Sequence, residues 1–400
     1  MGNANLMLST ASSVIIGAPS LDAARELVQG RRLISVYTED NNFEVPQLVH
    51  ERSLEGDLDK LLDTDEDDDP CWQEDMRNHL FVLAHGLASW SSDLEFIANI
   101  IRGAGGHVLC SSRNETVESF KGIEECSALL VEEIVSYREA NPDLRYISMV
   151  GNSLGGILCR VAARSLMAQG FLGMVPVTFL TIATPHIGVR HHTYLETEVL
   201  GAKLPSVLRD PIVDFMATAL QKTGKELLLK DAVEAKDSLM YRITSDEEYI
   251  RALTSFQRRR LYANLLNDLV VPLHTAAFLE DELAQRFRQR HSGESGVVAV
   301  VKTKKRSWTM AADASPDDSL AHMRLALDSA GWTKVLVHHP STLPTAHSKL
   351  AAVSRFPEFL HADMLGFKKG NEVMAAAARW LCGIQPELIE RTQEREDNRT

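Results

Sequence analysis

From about residue 79 the chain alternates short apolar runs with longer stretches whose apolar residues recur at helical spacing. A mostly parallel sheet covered by helices on both faces reads this way. The runs at 79–85 (HLFVLAH), 106–111 (GHVLCS), 146–151 (YISMVG), 176–183 (PVTFLTIA), 260–266 (RLYANLL) and 332–338 (WTKVLVH) predict its strands. Between the second and third, Ile123, Leu130, Ile134 and Tyr137 recur at helical spacing until Asn141-Pro142, which predicts an amphipathic crossover helix. Residues 154–169 continue from the third strand as a largely apolar helix, and 371–382 (NEVMAAAARWLC) predict a terminal one. No internal repeat interrupts the pattern.

Upstream, residues 54–70 (LEGDLDKLLDTDEDDDP) end in an acidic run that repels itself and cannot pack, and Pro70 closes it. Residues 1–70 are therefore expected to be an extension with an acidic linker, in which LISVYTED at 33–40 predicts an edge strand or a small hairpin. The main domain is expected at 71–385 and a charged, frayed tail at 386–400.

At 400 residues and 44% hydrophobic, the chain can bury one large core, so a single domain with extensions is expected. A formal net charge of -13 repels phosphate backbones and argues against nucleic acid as a partner. The five cysteines (Cys71, Cys110, Cys126, Cys159 and Cys382) are odd in number and include no C-x-x-C pair, which predicts reduced thiols without a disulfide framework or zinc site. Residues 1–20 have a weak apolar run with no Lys or Arg ahead of it, a poor secretory signal, and a cytoplasmic location is expected. Gly2 fits an acylation pattern that fails at Leu6. No stretch of about 18 uninterrupted apolar residues occurs, so any membrane contact is expected to be peripheral.

The candidate chemistry centres on Gly151-Asn152-Ser153-Leu154-Gly155, a G-x-S-x-G placed between a β-branched strand and a helix. A sharp strand-to-helix turn lifts such a serine oxygen out of the sheet. The flanking glycines, Gly151 and Gly155, are needed where a Cβ would strike backbone. Acyl transfer also needs two backbone N–H groups aimed at the developing oxyanion. Leu154 supplies one by position; Leu87, after the His85-Gly86 bend that ends the first strand, supplies the other. His85 is expected to orient that loop.

In an α/β-hydrolase fold the acid and then the histidine follow the serine, each from a loop at the carboxyl end of a later strand. Asp268, in the turn after 260–266, fits the acid. Several histidines compete for the base: His347 and His361 follow the last strand, and His338 and His339 close it. His186, His191 and His192 precede the acid and are poorly placed by order.

With these residues in view, FVLAHGL, GNSLGG, TIATPHIGVR, YANLLNDLVVP, GWTKVLVHH and TAHSKL together resemble the "putative serine esterase" family, lipases of unknown function found in plants and fungi. The likeness runs roughly over 79–382, with 185–258 and 280–318 poorly matched. Its most specific pieces are Thr184–Val189 and the Asn267-Asp268 turn before Val271-Pro272. The resemblance implies Ser153, Asp268 and His347 as the triad, with His361 in reserve. Two positions depart from the family pattern: Asn152 stands where a histidine usually precedes the nucleophile, and alanine occurs around Ala376 where some members carry another histidine.

The expected activity is hydrolysis of lipid acyl esters or small esters through an acyl-enzyme, with no metal or organic cofactor. Residues 194–257, apolar in many positions, are expected to form a helical cap over the site or to thicken the core. The basic run VKTKKRSW at 301–308 reads as a solvated hairpin or as a contact with a membrane or lipid-droplet surface, with Trp308 at the interface. A thioesterase or amidase would use the same triad. A hydrolase fold that has lost catalysis and serves as a lipid-binding scaffold is the alternative from another class.

Overall fold

The computed structural model describes residues 76–190, 218–308, 318–339, 346–352 and 367–383, together with four two-residue strands between Ser9 and His50. Contacts divide the chain into Met1–Ser53 and Leu54–Thr400. In the first unit Ser9–Thr10 pairs antiparallel with Ser13–Val14, and Leu33–Ile34 pairs antiparallel with Val49–His50. The second ladder begins where the 33–40 run predicts a strand. The acidic linker at 54–70, Cys71 and the 386–400 tail lie outside the described residues.

The second unit is built on a seven-stranded sheet. Its strands are β1 (His79–Ala84), β2 (His107–Cys110), β3 (Tyr146–Asn152), β4 (Val175–Ile182), β5 (Arg258–Asn264), β6 (Gly296–Lys302) and β7 (Thr333–His338). Their spatial order is β2-β1-β3-β4-β5-β7-β6, parallel throughout except where β6 meets β7. This is an α/β-hydrolase sheet.

Successive side chains of a strand point to opposite faces, so a strand covered on both sides must be apolar at nearly every position. On β1, Leu80, Phe81, Val82, Leu83 and Ala84 are all buried. Phe81, Leu83, Val150, Ile182 and Val337 share one core cluster with Ile97 and Ile101 of α1 (Glu95–Gly103) and with Val373, Met374 and Ala377 of α11 (Phe367–Leu381). The alternate positions Leu80, Val82, Met149 and Phe179 are buried on the opposite face. There α2 (Ile123–Ala140) packs on α3 (Leu154–Ala168).

One strand was not foreseen. Gly296–Lys302 (GVVAVVK) forms β6, antiparallel to β7 with a bulge between Val297 and Ala299, where sequence reasoning places only a poorly matched segment running into a basic hairpin. Val301 and Lys302 therefore complete a strand. Lys304 to Ser307 are exposed, and the Trp308 indole donates to the Ser245 carbonyl at 2.9 Å.

Residues 194–217 of the expected cap lie outside the described residues. The rest contains α4 (Gln221–Leu227), α5 (Leu239–Ser245) and α6 (Glu247–Ser255), and it is fastened to the core by buried polar contacts. Thr223 Oγ1 accepts from Gly122 N at 2.9 Å and donates to Ser119 O at 2.7 Å, while Glu226 Oε2 accepts from Ile123 N at 2.6 Å. The last two N–H groups are donors that a helix start leaves open, so α4 caps α2 from a distant part of the chain. Arg160 of α3, 1% exposed, donates to Ile243 O at 2.7 Å and to Thr244 Oγ1 at 2.8 Å on α5. The remaining helices are α7 (Leu273–Ala276), α8 (Asp281–His291), α9 (Ser319–Ser329) and α10 (Ala346–Leu350). Among the described residues no helix is long and apolar enough to cross a membrane.

Candidate active site

Ser153 joins β3 to α3 at φ 54 and ψ -124, a conformation that a residue with a side chain adopts only under strain. The turn closes because three glycines let the chain pass against itself. A Cβ on Gly151 would stand 2.3 Å from Gly156 Cα, one on Gly155 2.0 Å from Ala84 O, and one on Gly156 2.1 Å from Thr184 Oγ1. Gly151 and Gly155 were singled out from the sequence. Gly156 was not, although the Gly155-Gly156 pair at a helix start is a visible signal of close helix–strand approach. Ser153 N donates to Ile182 O at 2.8 Å, which locks the turn to β4. Leu154 is the first residue of α3, so its N–H is one that the helix itself does not consume.

The loop after β1 lies against this turn. His85 is buried, and burial holds its pKa below the ordinary value of 6.5 despite the nearby carboxylates. A neutral imidazole then donates from Nδ1 to the Gly86 carbonyl at 2.9 Å, bracing the bend. Gly86 faces Ser153, Leu87 follows, and Ala88 N donates to Ser119 Oγ at 2.8 Å.

Asp268 follows β5 after Asn267, whose φ of 62 turns the chain sharply, as asparagine tolerates better than most residues. Its carboxylate is buried and held from several sides. Oδ1 accepts from Val270 N at 3.0 Å and Val271 N at 2.8 Å, and Oδ2 accepts from Asn264 Nδ2 at 2.8 Å. Oδ2 also meets Nδ1 of His347 at 3.0 Å. Burial alone would lower the His347 pKa, but the charge and hydrogen bond of Asp268 more than offset that and hold it above 6.5. The structure thus brings together the predicted acid and the predicted base.

The competing histidines have other surroundings. His186 is fully buried, joined through Nε2 to Thr181 Oγ1 at 2.9 Å and packed edge-on against Phe278 and Trp332. Burial, then the charges of Arg160 and Lys334, push its pKa well down. Its carbonyl accepts from Arg160 Nη1 at 2.8 Å, so the Thr184–Val189 run, distinctive as it is, builds the core behind the turn. His338 is joined through Nδ1 to Glu294 O at 2.7 Å, and His339 is buried. His191, His192 and His361 lie outside the described residues. Among the described residues no His, Cys, Asp or Glu cluster gathers in the way a metal ion needs.

Residues 74–280 match the family model described as "Putative serine esterase (DUF676)". The chain belongs to this family. Ser153 and Asp268 lie inside the matched serine esterase segment, whereas His347 lies beyond it. Similar proteins include "Putative lipase ROG1" of Saccharomyces cerevisiae, 32% identical over 215 residues that cover 51% of this chain and 29% of the relative. Another from that yeast, "Putative lipase YDL109C", is 28% identical over 215 residues, 51% of this chain and 30% of the relative. The chain thus spans less than a third of the length of these two curated relatives. Among solved structures, an extracellular α/β-hydrolase from a Paenibacillus species is 14% identical, covering 48% of this chain and 80% of that one, with a TM-score of 0.28.

Proposed function

We propose that this serine esterase family member hydrolyses carboxylic esters through Ser153, His347 and Asp268. The observation that carries the reading is the 3.0 Å contact between His347 and Asp268 on the sheet edge where the strained Ser153 sits. Ser153 ends β3, Asp268 follows β5 and His347 follows β7, so all three emerge at the carboxyl ends of parallel strands.

Asp268 fixes the tautomer in which His347 Nδ1 carries the proton, leaving Nε2 free to accept one. As Ser153 Oγ attacks the ester carbonyl, Nε2 takes the hydroxyl proton, and Asp268 stabilises the imidazolium. The carbonyl oxygen becomes an oxyanion facing the N–H groups of Leu154 and Leu87. Collapse expels the alcohol, which takes the proton from Nε2, and water repeats the sequence to free the acid. A positioned base contributes about 10²–10⁴ in rate and an oxyanion donor a similar factor.

An acyl ester with an apolar chain is the substrate class this reading favours. Trp90, Val117 and Val270 are exposed in the loops that follow β1, β2 and β5, on the edge where the serine emerges. The relatives carry lipase names, in keeping with that choice.

The test is covalent labelling of the native chain by a fluorophosphonate, with the modified peptide identified. Ser153 is expected to carry the label, Ser153→Ala to lose it, and His347→Ala to lose it with the fold intact. Adding Ser153→Ala to His347→Ala is expected to cost almost nothing more, because a triad acts as a unit. Labelling that persists in Ser153→Ala overturns the assignment. Turnover of ester, thioester and amide donors then separates an esterase from a thioesterase or amidase.

A further inference from the structure

Asp268 is held by a side chain that lies within YANLLNDLVVP but to which the sequence assigns no role. Asn264, the last residue of β5 and 1% exposed, donates from Nδ2 to the same carboxylate oxygen that His347 contacts. Asp268 Oδ1 is already occupied by two backbone N–H groups, so Oδ2 is the oxygen left for the imidazole, and Asn264 shares it. The amide orientation is set by charge: turned over, it would place a carbonyl oxygen against a carboxylate oxygen. Among the described residues nothing donates to the Asn264 carbonyl oxygen. The side chain is therefore oriented toward Asp268 without a second contact there to hold it.

We infer that Asn264 is a positioning residue that sets the basicity of His347 through Asp268. This rests on the triad reading above. A carboxylate stabilised by three N–H donors, two from backbone and one from Asn264, holds its charge away from the imidazole, and so favours the imidazolium less than a bare carboxylate would. The same bond resists a rotation of the carboxylate that would carry Oδ2 away from Nδ1. Asn264 thus trades some attraction between Asp268 and His347 for a base that is neutral over a wider pH range, and for a fixed geometry.

Removing the donor has a signed consequence. In Asn264→Leu, close in size and apolar, the Oδ2 charge falls to His347 alone, the imidazolium gains, and the His347 pKa rises by roughly one unit. Since attack needs the neutral imidazole, the acid limb of the rate profile moves to higher pH by the same amount. The plateau rate falls on the order of tenfold as the carboxylate loses its fixed orientation. A side chain that merely filled space would change stability or plateau rate and leave the pKa where it was.

The experiment is an NMR titration of the His347 ring in the full chain, wild type against Asn264→Leu, alongside the pH dependence of fluorophosphonate labelling. The titration reads the Asn264 connection whether or not the protein is active, and labelling of the wild type at Ser153 reads the triad, so the two failures are distinct. An upward shift in both profiles is the expected result. An unshifted or lowered His347 pKa in a folded variant overturns the inference. Should Asn264→Leu fail to fold, Asn264→Ala, which adds no bulk, is measured in its place, with the same upward direction expected and the same outcome decisive against it.

Discussion

A β-carbon placed on Gly86 would stand 3.0 Å from the Ser153 Cβ and 3.5 Å from its Oγ. The bend after β1 and the Ser153 turn are therefore in contact, and the glycine leaves room for the serine. Gly86→Ala is expected to push Ser153 by a few tenths of an ångström. The rate of fluorophosphonate labelling should fall on the order of tenfold or more, with the Tm nearly unchanged, since a displacement this small matters for attack geometry more than for packing. Equal labelling rates for the two proteins would place the reacting oxygen elsewhere.

The strain at Ser153 gives a prediction of opposite sign for stability. Glycine adopts φ 54 without a side-chain penalty, so Ser153→Gly should be inactive and more stable, by about 1 kcal/mol. Chemical denaturation reads this directly. A less stable Ser153→Gly would mean that the serine side chain makes a contact worth more than the strain it carries.

The pair of His347 and Asp268 should be visible in pH dependence. The His347 pKa lies above 6.5, so labelling should rise with pH through a midpoint above that value. Asp268→Asn removes the influence that raises it and leaves burial, which lowers it. The midpoint should move down, while the plateau drops by about 10⁴. Stability follows the raised pKa with a definite sign. With Asp268 ionised, the contribution of the pair is complete below the unfolded imidazole value of about 6.5 and is lost as pH rises through the folded value. Wild type should accordingly exceed His347→Gln in stability by more at pH 6 than at pH 9. An equal margin at both pH values would contradict the pairing.

Arg160 ties α3 to the Ile243 carbonyl and the Thr244 hydroxyl of α5 and to the His186 carbonyl after β4, without a carboxylate partner in any described contact. Arg160→Met keeps much of the volume and removes the donors to those acceptors, of which, among the described contacts, only the His186 carbonyl keeps another, the Thr244 hydroxyl. It should cost about 2 kcal/mol in urea denaturation and expose the 218–257 helices to limited proteolysis before the sheet. Uniform protection would show that apolar packing alone holds those helices.

Most of the sheet was legible because its strands are buried on both faces and read as unbroken apolar runs. The serine turn was legible because its steric demands leave glycines in the sequence. The placement of Asp268 in a turn at the end of a sheet strand followed from the order of strands. That His347 is brought to Asp268 was not a local matter, since the contact is with a carboxylate from another strand's loop. Asn264 was hidden for the same reason: within LYANLL it reads as one polar residue at a strand end, and only the turn at Asn267 brings Asp268 back over it. β6 was missed where a compact apolar run led into lysines, although the run GVVAVVK after a turn carries its own strand signal.

That strand has a consequence for how the protein behaves in a crowded solution. Among the described residues β6 is an end strand of the sheet, and an end strand offers backbone groups to other chains. Here the bulge between Val297 and Ala299 breaks the regular spacing, and Lys302, Lys304 and Lys305 follow at its far end. An incoming strand would lose register at one point and meet positive charge at another. This strand thus carries two features that discourage strand addition, and substitutions that straighten the bulge or remove those lysines are expected to favour aggregation.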